Sequence, residues 1–202
     1  MATLLENSSF HLPSGRRRIV ALCFAAAGFL VSCYLAWSSL TGDAIAGCGE
    51  GAVFNCNHVL QSRFAKIYGL PISVPAALTM GLIVCCLAPS DKKEETGSLV
   101  SCCFPLALSA AAASAAWFIW LQCFQIGKLC LFCLIVHSCS LILTVLVFSI
   151  PGNLRRPVQR ISPAILAVLL VAVIQWNSPE PKSFEVTDEP AAQEFEQLDM
   201  EF

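Results

Sequence analysis

The sequence predicts an all-α integral membrane protein, and three observations carry that reading. Apolar residues fill 56% of the 202 positions and charged residues 13%, about half the charged share of an ordinary soluble domain. The apolar residues gather in five blocks, four of them 19 to 23 residues long, and at about 1.5 Å of rise per residue such a block crosses a hydrocarbon core of roughly 30 Å. The charges lie between the blocks. A net charge of −2 with no basic face excludes nucleic acid as a partner.

The elements follow in order. Residues 1–18 form a cytoplasmic N-terminal segment that ends in Arg16, Arg17 and Arg18. The first span covers about 19–40. Its basic lead resembles a signal peptide, but the block is longer than a usual signal core and no convincing small-residue cleavage site follows it, so it is expected to stay. The second span covers about 70–88 and the third about 99–121, where Ala110 to Ala113, Ser114, Ala115 and Ala116 offer a small-residue face for close helix packing. The fourth covers about 129–150. The fifth block, from Ile161, has sixteen residues and reaches 158–176 by borrowing Val158 to Arg160, with the arginine stem snorkelling. Five spans make the connections alternate sides. Arg16, Arg17, Arg18, Lys92, Lys93, Arg155, Arg156 and Arg160 share one side, while Arg63, Lys66, Lys128 and Lys182 share the other, so the positive-inside rule puts the N-terminus in the cytoplasm and the C-terminus outside.

Three segments then meet on the outer side: the 41–69 loop, the 122–128 connection and the 177–202 tail. The loop is far longer than a helix connection needs, which points to function. Its end, "VLQSRFAKIYG", has Val59, Leu60, Phe64, Ile67 and Tyr68 at helical spacing. This predicts a short amphipathic helix over about 57–68, lying on the outer surface as an anchor or capping a pocket. The tail carries eight acidic residues, one lysine and three prolines, the composition of a flexible linker.

The twelve cysteines are of two kinds. Cys23, Cys33, Cys85, Cys86, Cys102, Cys103 and Cys139 lie within spans as small apolar side chains, and Cys123, at the outer end of the third span, stays unassigned. Cys48, Cys56, Cys130 and Cys133 all fall at the outer face, where disulfides persist. Cys48 and Cys56 flank a loop with Gly47, Gly49 and Gly51, flexible enough to let two thiols meet or part. Cys130-x-x-Cys133 starts the fourth span from its outer end, where free helix amides favour a thiolate.

Several chemistries compete for these four. A c-type haem needs histidine after the second cysteine, and Leu134 stands there. A zinc site would draw on four thiols, or on three with His58 or His137. A structural disulfide would merely staple loop to bundle, leaving a non-catalytic membrane protein. A thiol–disulfide relay needs one pair facing a soluble partner and a second facing a lipid-soluble two-electron acceptor. Cys133 lies about 4 to 5 Å below Cys130 along the helix, the depth of a quinone headgroup. A soluble nicotinamide would instead need a G-x-G-x-x-G turn after a strand, and none is present. The relay is therefore the working expectation, with no metal.

The ordered combination of "CGEGAVFNC", "VLQSRFAKIYGLP" and "CLFC" resembles the vitamin K epoxide reductase family, in its bacterial form, over residues 17 to 176. The resemblance implies a four-helix bundle around a quinone pocket plus a fifth peripheral transmembrane helix. It implies a bacterial inner or thylakoid membrane, with the active-site loops periplasmic or lumenal. Cys130 and Cys133 match the quinone-proximal pair, Cys56 the cysteine that exchanges with Cys130, and Cys48 the one that meets a thioredoxin-like partner, separate or fused beyond the tail. Ser62 matches a serine beside the active site. His137 replaces a tyrosine of the animal enzymes. It lies one turn below Cys133, in reach of a quinone oxygen. No asparagine of the family's kind stands in the second span, and together these departures favour a plain quinone, of ubiquinone, menaquinone or phylloquinone type, over the epoxide.

Overall fold

A computed structural model describes residues 11–48, 53–88, 96–151, 153 and 157–177, without the side chains at 96–102 and 157–162. Most of the N-terminal segment, part of the glycine-rich loop and the acidic tail after Asn177 lie outside the described residues. Helix α1 spans Gly15–Thr41. Its buried residues include Ala21, Ala25, Gly28, Ser32 and Leu35, spaced by fours and threes along one stripe, as one helical face requires. It stops at Gly42, whose φ of 79° lets its N–H turn back to the Ser38 carbonyl at 2.9 Å. At its other end Arg18 Nε donates to the Leu87 carbonyl at 2.8 Å, satisfying the last turn of the helix that ends there.

Helix α2 is short, Cys56–Gln61, and is followed by a 3₁₀ turn at Arg63–Ala65 and a two-strand hairpin, β1 Lys66–Ile67 and β2 Leu70–Pro71. The expected helix over 57–68 is therefore broken. At Ser62 the backbone turns extended (φ −61°, ψ 155°), and the chain reverses at Tyr68 and Gly69, both at positive φ, as a two-residue hairpin loop demands. The helical spacing misled because Val59, Leu60, Phe64 and Ile67 do face one cavity together, although no single helix carries them. Tyr68 points away and is exposed.

Helix α3 spans Ser73–Leu87. The second apolar block starts earlier, at Leu70, but its first residues pair as β2. That leaves a helix of 15 residues, about 22 Å long and shorter than the hydrocarbon core. Helix α4, Thr96–Trp120, widens into a π-helical turn at Leu121–Ile126 that ends at Gly127 with φ 67°. The connection expected over 122–128 is thus mostly helical. Helix α5 spans Leu131–Phe148 and α6 Pro157–Asn177. Gly15–Thr41, Cys103–Ile126 and Leu131–Phe148 are long and apolar enough to cross a membrane; Ser73–Leu87 and Pro163–Asn177 are shorter apolar helices.

Helices α1 and α4 each pack against both α3 and α5, and α6 lies against α4. The helices approach closely at Gly28, where an added Cβ would meet Met80 Sδ at 3.2 Å and Cys139 Cβ at 3.5 Å. Glycine is what lets α1 sit this near to α3 and α5.

Candidate functional site

Four cysteines converge where the loop meets the start of α5. Cys48 and Cys56 are joined by a disulfide, and both are buried. Cys56 opens α2, whose first turn is fixed by Asn55: its side-chain oxygen accepts from the His58 N–H at 2.9 Å, the usual N-cap bond. Main chain ties this segment to α5. Asn55 N donates to Leu129 O at 3.0 Å and Leu129 N donates to Val53 O at 2.9 Å, a short parallel bridge that lays residues 53–55 alongside 129 and so places Cys56 and Cys130 each one residue beyond it.

Cys130 and Cys133 are thiols. Cys130 is the N-cap of α5, and its sulfur accepts from the Cys133 N–H at 3.2 Å. Cys130 precedes the membrane-crossing helix. Its thiol is held below the ordinary cysteine range, first by the hydrogen bond with the Cys133 side chain; burial opposes this, and backbone amides of Cys133 and Phe132 add to it. Its own amide has no partner within the helix, as at any N-cap. Gln122 supplies one: its Oε1 accepts from Cys130 N–H at 2.7 Å in a setting where Gln122 is only 2% exposed. The π-helical turn carries Gln122. Widening of this kind recurs at functional sites.

Beneath this cluster lies a cavity of about 230 Å³. Cys133, His137, Gln122 and Ser62 contribute its chemistry, and Leu35, Met80, Phe118 and Val136 belong to its apolar walls. The sequence-predicted Cys133, Ser62 and His137 thus come together around one space, whereas Cys130 stands beside it as cap. His137 lies parallel to the Phe118 ring at 6.0 Å between centroids. Ser62 is the C-cap of α2 and its hydroxyl donates to Val59 O at 2.7 Å. While that bond holds, its single proton is committed, so toward the cavity Ser62 acts as an acceptor.

Among the described residues no three His, Cys, Asp or Glu side chains come together to hold a metal, and both His58 and Cys123 are exposed. Gln122 is a residue of this site that the sequence alone does not single out. The only signal is an amide near the outer end of an apolar block, with a second, Gln125, three residues on, and its spacing to the cysteines carries no motif.

Val171 of α6 also lines the cavity, so the helix expected at the periphery takes part in the wall. A search among curated proteins finds no significant match. The model of the Vitamin K epoxide reductase family does match, over residues 19–148, from early in the first apolar helix to the end of α5. That range is well over half of the chain and holds the four cysteines and every cavity residue apart from Val171; the chain belongs to the Vitamin K epoxide reductase family.

Proposed function

We propose that this membrane oxidoreductase is a thiol:quinone oxidoreductase: it makes disulfides by oxidising a thioredoxin-like protein or domain and passes the electrons to a membrane quinone of ubiquinone, menaquinone or phylloquinone type. Helices α1, α3, α4 and α5 form the four-helix bundle around the quinone pocket, with α6 as the fifth span. The N-terminus lies in the cytoplasm and the cysteine loops lie on the periplasmic or lumenal side.

The observation that carries this reading is the main-chain link that ties the segment before Cys56 to the residue before Cys130, with Cys133 on the wall of an apolar cavity. Residues 53–55 are strapped to Leu129 by main chain, and Cys133 opens onto a space of the size of one substituted ring. The walls fit such a guest: they are mostly apolar, with a few polar groups that fix orientation. Gln122 and His137 can donate to ring oxygens, and Ser62 can accept from a hydroxyl.

The chemistry balances at each step. A partner thiolate attacks the Cys48–Cys56 disulfide at Cys48. The second partner thiol then resolves the mixed disulfide, so the partner leaves oxidised and Cys48 and Cys56 become thiols. Cys56 next attacks Cys130 of a closed Cys130–Cys133 pair. Cys48 resolves that link, which restores Cys48–Cys56 and leaves Cys130 and Cys133 reduced. Such a state, with the loop disulfide closed and the inner pair as thiols, is the one described above. When bound, a quinone accepts two electrons and two protons. Those come from Cys130 and Cys133 as their disulfide closes, with Cys133 the sulfur nearest the ring.

Purified protein given a dithiol donor and a short-chain quinone should bleach the quinone absorbance, and Cys133→Ser should abolish the bleaching. Full turnover in that variant removes the relay. A chain in which the cysteines only staple the fold would show no turnover at all and one unchanging disulfide pattern.

A further inference from the structure

Helix α6 is apolar over most of its length, with Leu166, Leu169, Leu170 and Val173 more than half exposed on the side a bilayer would cover. Gln175 interrupts that run. It sits two residues before the helix ends, where an amide could readily have been left to polar headgroups, yet it is 0% exposed. Burying a carboxamide in apolar surroundings is costly unless both its donor and its acceptor find partners.

Both do. Trp117 Nε1 of α4 donates to Gln175 Oε1 at 2.8 Å, and Gln175 Nε2 donates to the Phe64 carbonyl at 2.7 Å, across 111 residues of sequence. Phe64 lies in the 3₁₀ turn directly after Ser62, and both residues line the cavity. One side chain thus joins three parts: the helix that stacks Phe118 on His137, the helix that supplies Val171, and the segment that covers the cavity.

We infer that Gln175 is a positioning residue: it latches the cover at Ser62–Ala65 onto α4 and α6 and thereby sets how tightly the cavity closes over the electron acceptor. The inference rests on the reading of that cavity as the quinone site. Gln175 touches neither cysteine pair in this arrangement. Its loss should therefore weaken the step at the cavity and leave exchange with the partner at Cys48 intact.

The test uses the full chain with a dithiol donor and a short-chain quinone. Gln175→Leu keeps the volume and strands the Trp117 N–H and the Phe64 carbonyl. Quinone KM should rise about tenfold, equivalent to about 1.4 kcal/mol and within the cost of unpaired buried groups, while donor KM stays within about twofold. Trp117→Phe keeps an aromatic ring beside Trp120 while removing the indole N–H together with its five-membered ring; a smaller rise in the same direction, about threefold, is expected. Alkylation of Cys133 by a water-soluble maleimide, read site by site in a mass spectrometer, should speed up severalfold in both variants.

Unchanged quinone KM and unchanged alkylation overturn the latch. So does a loss spread evenly over donor KM, quinone KM and melting temperature, because that pattern marks a residue needed only for folding. If Gln175→Leu does not fold, Trp117→Phe decides on the same criteria. Wild-type protein that reduces no quinone would refute the parent reading instead, and Cys133 alkylation would still test the latch by itself.

Discussion

Replacing Gln122 by leucine is the most informative single change. Leucine nearly matches glutamine in size, so little empty volume is created, and the effect isolates the bond from Cys130 N–H to Gln122 Oε1 at 2.7 Å. Gln122 and Cys130 are 2% and 0% exposed, so water cannot replace the lost acceptor. A buried amide left unpaired costs about 1 to 3 kcal/mol. That cost must appear somewhere. If Cys130 keeps its place, the protein loses stability; if its amide swings toward another acceptor, the sulfur leaves the path between Cys56 and Cys133 and turnover falls. Fully expressed in the transition state, the range corresponds to about 5- to 150-fold in kcat/KM. Quinone bleaching with a dithiol donor gives the kinetic part and thermal melting gives the other. Gln125→Leu is the control, since Gln125 lies in the same π-helical turn but is exposed. If Gln122→Leu matches Gln125→Leu in both turnover and melting, the claim that Gln122 holds Cys130 is wrong.

Three further outcomes are expected. Asn55→Ala removes the cap accepted from His58 N–H and should cost about 1 kcal/mol of local stability, seen as faster hydrogen exchange in Cys56–Gln61; equal protection would discount the cap. Ser62→Ala removes the bond to Val59 O and an acceptor at the cavity, so quinone turnover should fall about fivefold, or about 1 kcal/mol. The exposed Gln61→Ala serves as its reference, and equal rates would reduce Ser62 to a wall residue. Gly28→Val drives a branched side chain into Met80 and Cys139. Overpacking there should cost about 1 to 3 kcal/mol, measured by thermal melting, and an unchanged melting temperature would show that α1 has room to shift.

What could be read in advance was what one-dimensional patterns encode. Apolar block lengths predict where long helices run, and the two cysteine spacings, with the alternation of sides that five spans imply, predict Cys48, Cys56, Cys130 and Cys133 on one face. The misreadings share a physical cause. Val59, Leu60, Phe64 and Ile67 satisfy helical periodicity, but that periodicity records only that they reach a common space; past Ser62 the chain is engaged by a distant partner, the Gln175 Nε2 to Phe64 O bond at 2.7 Å. Leu70 counts as apolar whether it enters a helix or a strand, so the block overstated α3. Gln122 and Gln175 each look like an ordinary polar residue near the end of a hydrophobic run. The partner of Gln122 lies 8 positions away and those of Gln175 lie 58 and 111 away, and no local pattern links them.

The bridge between residues 53–55 and Leu129 has a consequence for which substitutions the loop tolerates. Its two hydrogen bonds are main chain to main chain, while Val53 and Phe54 are about half exposed. The juxtaposition of Cys56 with Cys130 is thus written in amides and carbonyls that almost any residue supplies. Swapping Val53, Phe54 or Leu129 among ordinary amino acids leaves those groups in place. Proline at 129 deletes the donor to Val53 and fixes φ beside the cap. A substitution scan of Val53, Phe54 and Leu129 would accordingly be flat except at proline, with Asn55 set apart by its cap, and a loop whose other letters drift freely between related chains would still deliver its sulfur to the same neighbour.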